Sequence, residues 1–327
     1  MKAIVCRAYG PVDALQWMEV APAPLGPGQV RVAIHAAGVN FADTLKVQGL
    51  HQVKPPLPWI PGAELAGVVS EIGAGVEGLR VGDPVLGVPD DRAGGFAESV
   101  VLEAGRVLPL LEGLDFIRAA ALPAAYGTAL YALRQRARLA AGDCVLVLGA
   151  AGGVGLAATQ VAAAMGARVI AAASTPEKRD LAVAHGAHFS VDYTQPGWRH
   201  QVLELAGSTG VRVVFDPVGG EIFDEAIRIV GWGGRYLVVG FAAGRIPELR
   251  MNHPLVKGYE VVGVRYDVWR DREWPEARRN LEQVLDWCRQ DALRPMVSRT
   301  QAMADAVQAL SAIAGRQALG KLVLRAG

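Results

Sequence analysis

Residues 143–174, DCVLVLGAAGGVGLAATQVAAAMGARVIAAAS, limit what this chain can fold into more than any other stretch. An apolar run at 145–148 meets the turn Ala150-Ala151-Gly152-Gly153-Val154-Gly155. An Ala-rich segment and a second apolar run at 168–173 follow. Short apolar runs punctuated by glycine, with a longer amphipathic segment between them, read as strand, tight turn, helix, strand. That order is the first unit of a dinucleotide-binding fold, in which backbone N–H groups and a helix N-terminus are brought up to a pyrophosphate. The pattern is A-x-G-x-x-G, with Ala150 in the first place. Gly152 allows close backbone approach and Gly155 lets the helix pack on the sheet. The backbone of Ala151, Gly152, Gly153 and Val154 is the expected pyrophosphate cradle.

The stretch is long and apolar, yet it carries five glycines, Gln160 and Arg168 and breaks into three elements. A buried unit of this kind therefore fits better than a membrane-spanning helix. Lys plus Arg number 33 and Asp plus Glu 32, a net charge of +1, with no basic block, so a nucleic-acid partner is not expected. Cys6, Cys144 and Cys288 are scattered and odd in number. They form neither a disulfide framework nor a C-x-x-C metal site, which fits a reducing, cytoplasmic setting. The start, MKAIVCRAYG, does not read as a secretory signal.

Residues 1–120 read as β-rich, with runs at 2–6, 30–36, 65–72 and 84–88 between Gly/Pro/Asp turns. Residues 123–265 alternate strand and helix, with strands expected at 144–148, 168–173, 189–191, 211–216, 235–239 and 259–264. Helices are expected at 177–185 and 221–230. Six strands in this alternation predict an α/β fold with a doubly wound parallel sheet. A charged helix at 271–291, a helix at 302–314 and a strand at 321–324 complete the chain. The expected division is a discontinuous domain, 1–122 with 266–327, and a nucleotide-binding domain, 123–265.

Units that bind NAD commonly end the second strand in Asp or Glu, which holds the ribose 2′-hydroxyl. Here that place holds Ala171, Ala172 and Ala173, followed by Ser174, Thr175, Lys178 and Arg179. Hydroxyls and cations suit a 2′-phosphate through charge-assisted hydrogen bonds. The missing acid favours NADPH, while Lys178 and Arg179 on a merely solvated helix face remain the plainer reading.

The ordered segments GVNFADT (38–44), PGAELAGVV (61–69), GDPVLG (82–87), GGFAE (94–98), LPAAYGTALYAL (122–133), GAAGGVG (149–155), FDPVGG (215–220), GRYLVVGF (234–241) and GRQALGKLVL (315–324) span essentially the whole chain. Together they resemble the zinc-independent quinone oxidoreductase (zeta-crystallin-like) branch of the medium-chain dehydrogenase/reductase superfamily. The resemblance implies a GroES-like β-rich catalytic domain, a Rossmann domain, NADPH as cofactor and a homodimer. Zinc-dependent relatives place a Cys near GVNFADT and a His before the Glu of the next motif. Here Asn40 and Ala63 stand in those places, with Glu64 retained, and GVPDDRAGGFAES lacks the cysteines of a structural zinc lobe. A catalytic zinc needs three protein ligands, so a metal is not expected. Glu64 reads as a hydrogen-bonded structural residue rather than an acid catalyst.

Without a metal to polarise an alkoxide, an already electron-poor acceptor is the better partner for hydride: a quinone or an α,β-unsaturated carbonyl. By resemblance, Asn40 is the donor near the nicotinamide and substrate, with a loop-capping Asn as the plainer alternative. Thr128 resembles the threonine at the nicotinamide ribose, or caps a helix. Tyr126 offers a phenol or is a buried aromatic. Close quinone reductases carry tyrosines where this chain has Leu45 and, nearby, His51. His51 is either a proton donor near neutral pH or a surface histidine. That departure raises enones, acrylate-type compounds and enoyl thioesters beside quinones. Tyr193 resembles the tyrosine beside the adenosine phosphate, Gly240 and Phe241 mark where backbone passes the nicotinamide, and Arg316 resembles a C-terminal arginine that reaches the cofactor. A non-catalytic NADPH-binding protein would carry the same cradle. A homodimer would pair a strand at the sheet edge, either 236–239 or 259–264.

Overall fold

The computed structural model describes residues 1–90, 94–315 and 318–326; Arg316 lies outside them. The chain divides into two compact units, residues 1–124 with 295–327, and residues 125–294.

The first unit is β-rich. Its strands are β1 (Lys2–Val5), β2 (Gln16–Glu19), β3 (Gln29–Val39), β4 (Leu65–Ile72), β5 (Pro84–Gly87), β6 (Ser99–Glu103) and β7 (Val107–Pro109). The second unit contributes β8 (Cys144–Leu148), β9 (Arg168–Ala173), β10 (Phe189–Asp192), β11 (Val211–Asp216), β12 (Val230–Val238) and β13 (Glu260–Gly263). The chain then returns to the first unit with β14 (Val297–Ala302) and β15 (Lys321–Arg325).

In the first unit the strand order is β14-β15-β3-β4-β5-β7, and β6 pairs with β3. β3 is the long central strand. It alternates Val30, Val32 and Ile34 inward before becoming buried on both faces from Ala36 to Val39. The inward residues join Leu65, Val69, Phe96, Leu322 and Leu324 in one apolar core. Two registers shape the end of β3. Leu322 lies opposite Val39, and Leu65 lies opposite Ala37. The residues just before β4, or at the first position of β15, therefore reach the end of β3 from both sides.

The second unit is a six-stranded sheet, ordered β10-β9-β8-β11-β12-β13 and parallel throughout. β8 is buried at every position, as expected for a parallel sheet covered on both faces. The order reverses between β8 and β11, the topological switch point at which open α/β sheets take ligands beyond their carboxyl ends. The Gly153–Ala164 helix begins there. A Cβ on Gly155 would press into the Gly149 carbonyl and the Ala150 backbone, so only glycine lets this helix approach the turn so closely.

The structure corrects the sequence expectations in several places. Residues 266–294 pack with the second unit rather than the first. Buried Asn280, on the Trp274–Arg289 helix, accepts from Arg134 at 3.2 Å and from Gln135 at 3.3 Å, and the Arg294 N–H donates to Gln160 at 2.7 Å. The helix expected at 271–291 is two helices, Tyr266–Arg272 and Trp274–Arg289, the second starting with Pro275 in its first turn, where proline is tolerated. The helix expected at 221–230 is the short Ile222–Ala226, because Val230 already opens β12. β12 lies between β11 and β13, so residues 236–239 cannot form an edge; of the two expected strands, β13 lies at an edge.

Gly155→Ala is expected to destabilise the fold by about 1–3 kcal/mol, the usual cost of overpacking. A urea unfolding midpoint no lower than that of the unaltered chain would show that this helix has room to shift.

Candidate active site

In the first unit, Asn40 follows β3 directly and stands at the N-cap of the Phe41–Val47 helix. At the third helical position, buried Asp43 accepts the Asn40 backbone N–H at 2.9 Å, one half of a capping box. The Asn40 amide makes its own short bonds sideways along the sheet. Lys321, the first residue of β15, donates to its Oδ1 at 2.6 Å, and its Nδ2 donates to Glu64 Oε1 at 2.9 Å. Lys321 also donates to Glu64 Oε1 at 2.6 Å and to the Val39 carbonyl at 3.0 Å, which uses all three ammonium protons. The second Glu64 oxygen accepts the Ala124 backbone N–H at 2.7 Å. Glu64 is fully buried and Lys321 4% exposed. Glu64 is thus a hydrogen-bonded structural group. A Cβ on Gly38 would fall inside contact distance of Glu64 Oε1 and the Ala120 carbonyl, so the glycine of GVN makes room for the carboxylate.

His51 lies beyond the other end of the Phe41–Val47 helix, where its backbone N–H donates to the Leu45 carbonyl at 3.1 Å. Its Nδ1 lies 3.1 Å from the Val53 N–H and 3.4 Å from the Val53 carbonyl, so it accepts from the first in one neutral tautomer and donates to the second in the other. His51 is half-buried rather than fully exposed.

In the second unit, Gly152 is the N-cap of the Gly153–Ala164 helix. Ala151 is buried, while Gly152, Gly153 and Val154 are partly exposed, so the first helical turn presents backbone N–H groups at the switch point. A Cβ on Gly152 would meet only the Gly149 carbonyl, at 3.4 Å, leaving open space for an anion against the backbone. The residues therefore fit a pyrophosphate.

β9 ends at Ala173, followed by half-buried Ser174 and by Thr175, which caps the Pro176–Ala184 helix by accepting the Lys178 N–H at 3.4 Å. Arg179, the second of the expected cations, is already engaged. It pairs with Asp192 at 2.8 Å and donates to the Ala173 carbonyl at 3.5 Å. The register sets Asp192 opposite Ala173. The acid missing from β9 thus has a counterpart on β10, neutralised by Arg179. Hydrogen bonds from Thr194, reinforced by Arg179, hold the Asp192 carboxyl below its ordinary range. Sequence reading missed this pair because the acid sits on a different strand. Among the described residues Lys178, unlike Arg179, forms no ion pair. Tyr193 follows Asp192 and is half-buried.

Gly240 and Phe241 follow β12, where the Gly240 N–H donates to the Asp216 carbonyl at 3.3 Å. Asp216 was missed as well. Its carboxylate accepts from the Val218 and Gly219 N–H groups at 2.7 and 2.9 Å and from the Tyr236 hydroxyl at 2.6 Å. It fixes the loop after β11, to which the loop after β12 is tied. The Asp followed by Pro-Val-Gly-Gly was the available signal, an Asx-type turn.

Thr128 lies inside the Pro123–Leu130 helix, not at its cap, and is partly exposed. Tyr126, on the same helix, is 2% exposed, and its oxygen accepts from Gln160 Nε2 at 2.9 Å. Burial pushes its phenol far above the ordinary range. Of the two readings of Tyr126, the structure gives the buried aromatic; a proton donor at this position is corrected.

Two family models match the chain: an alcohol dehydrogenase GroES-like domain over residues 26–112 and a zinc-binding dehydrogenase over residues 153–283. The quinone oxidoreductase-like protein 2 of Mus musculus is 39% identical over 307 residues, 94% of this chain and 87% of that protein. The quinone oxidoreductase of Pseudomonas aeruginosa is 33% identical over 99% of both chains. The fold is also similar to that of Escherichia coli quinone oxidoreductase complexed with NADPH, with a TM-score of 0.90, 27% identity and coverage of 99% of this chain and 100% of that one. This chain belongs to the zinc-independent, quinone oxidoreductase-like branch of the medium-chain dehydrogenase/reductase superfamily. Its two units have the GroES-like and Rossmann architecture of that superfamily. Zinc does not fit its donor set: Asn40 and Ala63 replace the ligands, and among the described residues no group of three or more His, Cys, Asp or Glu could hold a metal. Among them, too, no helix is long and apolar enough to cross a membrane.

Asp43 supplies a pH signature. Burial raises its carboxyl from 3.8 to about 6, against the Asn40 N–H, Lys46 and Lys321, while Glu64 adds to the rise. Across that window the folded chain keeps a proton that the unfolded chain has released, so this group lowers stability as pH rises from about 4 to about 6. Asp43→Asn is expected to remove this slope from the pH dependence of the unfolding free energy; an unchanged slope would place its origin elsewhere.

Proposed function

We propose that this chain is an NADPH-dependent reductase of quinones or activated C=C bonds. The observation that carries the reading is the open first turn of the Gly153–Ala164 helix at the switch point, followed by a β9 strand that ends without an acid and by an uncommitted Lys178. When bound, NADPH supplies a hydride from its nicotinamide C4 to the acceptor. The backbone of Ala151, Gly152, Gly153 and Val154 holds the pyrophosphate. Ser174 and Lys178 hold the 2′-phosphate, with Tyr193 beside the adenosine. Thr128 and the backbone at Gly240 and Phe241 position the nicotinamide half, and the Arg179–Asp192 pair keeps a bare carboxylate away from the 2′-phosphate. Asn40 donates a hydrogen bond to the acceptor oxygen, where negative charge develops as hydride arrives. His51 or solvent supplies the proton that completes the reduction.

The decisive assay follows NADPH oxidation with 1,4-benzoquinone, 9,10-phenanthrenequinone, a simple enone and an acrylate ester, against NADH controls. Turnover with at least one acceptor and preference for NADPH are expected. NADPH binding without oxidation in the whole panel would favour a binding protein on the same scaffold, and NADH preference would overturn the ribose assignment. Removing Lys178 tests that assignment directly. Lys178→Ala is expected to raise KM for NADPH about tenfold, one charge-assisted hydrogen bond, and to leave KM for NADH unchanged. Equal effects on both cofactors would count against a 2′-phosphate contact.

The quaternary state belongs to the same proposal. Among the described residues β13 is an unpaired sheet edge that carries exposed Val261, and Trp232, Met251, Leu255 and Val256 nearby are 74–81% exposed. An apolar edge of this kind is stable when paired with its own copy across a two-fold axis. Light scattering is expected to give twice the chain mass, and a Leu255→Glu/Val256→Glu variant the chain mass; a native monomer at micromolar concentration would contradict the pairing. Three free cysteines fit a reducing, cytoplasmic setting.

A further inference from the structure

We infer that Lys321 and Glu64 act as a clamp that fixes which way the Asn40 amide faces, and so decide that Asn40 is a donor rather than an acceptor. The inference rests on the proposed role of Asn40 at the acceptor oxygen.

An asparagine amide can turn over by half a rotation and exchange its oxygen for its nitrogen at little intrinsic cost. At Asn40 the surroundings forbid that. The oxygen faces an ammonium that has no lone pair, Lys321 Nζ at 2.6 Å. The nitrogen faces a carboxylate oxygen that already receives Lys321, Glu64 Oε1 at 2.9 Å. Turning the amide would set its N–H groups against the ammonium and its carbonyl against the carboxylate, two like-polarity contacts in a buried site where they are little screened. One Nδ2 proton is spent on Glu64. The second is left on a residue that, unlike Glu64 and Lys321, is partly exposed. The side chains that set this polarity come from β15 and from the residue preceding β4, on either side of β3. Gly38 leaves the space in which Glu64 reaches Asn40, and the Ala124 N–H holds the far Glu64 oxygen. Lys321 and Glu64 are positioning residues: they touch Asn40, not the acceptor.

The neutral pair Lys321→Met/Glu64→Gln removes the clamp while keeping its volume and avoiding a lone buried charge. The introduced glutamine amide would give its oxygen to the Ala124 N–H, leaving its NH2 toward Asn40. The Asn40 carbonyl would then turn to meet it, and an acceptor would replace the donor. The chain has only three asparagines, Asn40, Asn252 and Asn280, so selective 15N-asparagine labelling yields three side-chain amide pairs, and Asn40→Asp assigns one of them. In the native chain the Asn40 pair is expected to be widely split, with one proton slow to exchange, beside the exposed Asn252 as reference. In the double variant the splitting and the protection are expected to be lost. Turnover of NADPH with the best acceptor is expected to fall about 100-fold, as for loss of one oxyanion donor, with KM for NADPH unchanged. Asn40→Asp added to the double variant should then cost almost nothing further.

A native Asn40 pair that exchanges as fast as Asn252 overturns the clamp, with the Asn40→Asp variant needed only to assign the signal. So does a folded double variant that keeps both kcat and the native amide signals, or one that loses only stability. If Asn40→Asp alone leaves kcat unchanged, the donor role and the clamp's purpose fall together. If no acceptor is reduced at all, the proposed function falls, and the amide signals still decide the clamp.

Discussion

A buried ammonium and a buried carboxylate, Lys321 and Glu64, hold together the end of the first unit that carries Asn40. Removing two charges from water costs several kcal/mol per ion before any gain, and such a pair persists only when its remaining polar capacity is also met. That condition is satisfied here. Three ammonium protons meet three oxygens, and both carboxylate oxygens accept. The registers of β15 and β4 on β3 bring the two charges to Asn40, and breaking either partner would leave the other unmatched in the core. The same contacts that stabilise the end of the sheet give the Asn40 amide its direction, so stability and site geometry share one cause.

In the proposed reading the second unit meets a different problem, how to hold a highly charged ligand when its own charges nearly balance. It does so with backbone. The switch point, the open helix turn and the glycines that permit close packing supply oriented N–H groups, and a near-neutral chain needs no basic patch. In the proposed site, side-chain charge among the described residues enters around the end of β9. There Arg179 is consumed by Asp192, and Lys178 remains.

Much of this was legible in the sequence, and the reasons are local. The parallel sheet announced itself because β8 and β9 are continuous apolar runs flanking a glycine turn, and the βα rhythm follows from short-range pattern. Absent zinc ligands are likewise a matter of residue identity at Asn40 and Ala63. What stayed hidden depends on contacts between distant segments. Nothing in GKLVL says that its lysine meets a glutamate 257 positions earlier, although a lysine leading a buried strand and a glutamate leading another are each unusual. Asp192 was invisible as the neighbour of Ala173 for the same reason. Tyr126 was open between two readings until Gln160 was found against its oxygen, and the edge strand could be chosen only once β12 was seen between two partners.

The central claim is that the cofactor gives hydride directly to an electron-poor acceptor. It is tested most directly by following a label. With NADPH deuterated at both C4 positions and an enone acceptor, mass spectrometry of the product should show one deuterium, bound to the carbon β to the carbonyl, with the α-hydrogen drawn from solvent. Product formed without deuterium, or with deuterium lost to water before transfer, would contradict the account.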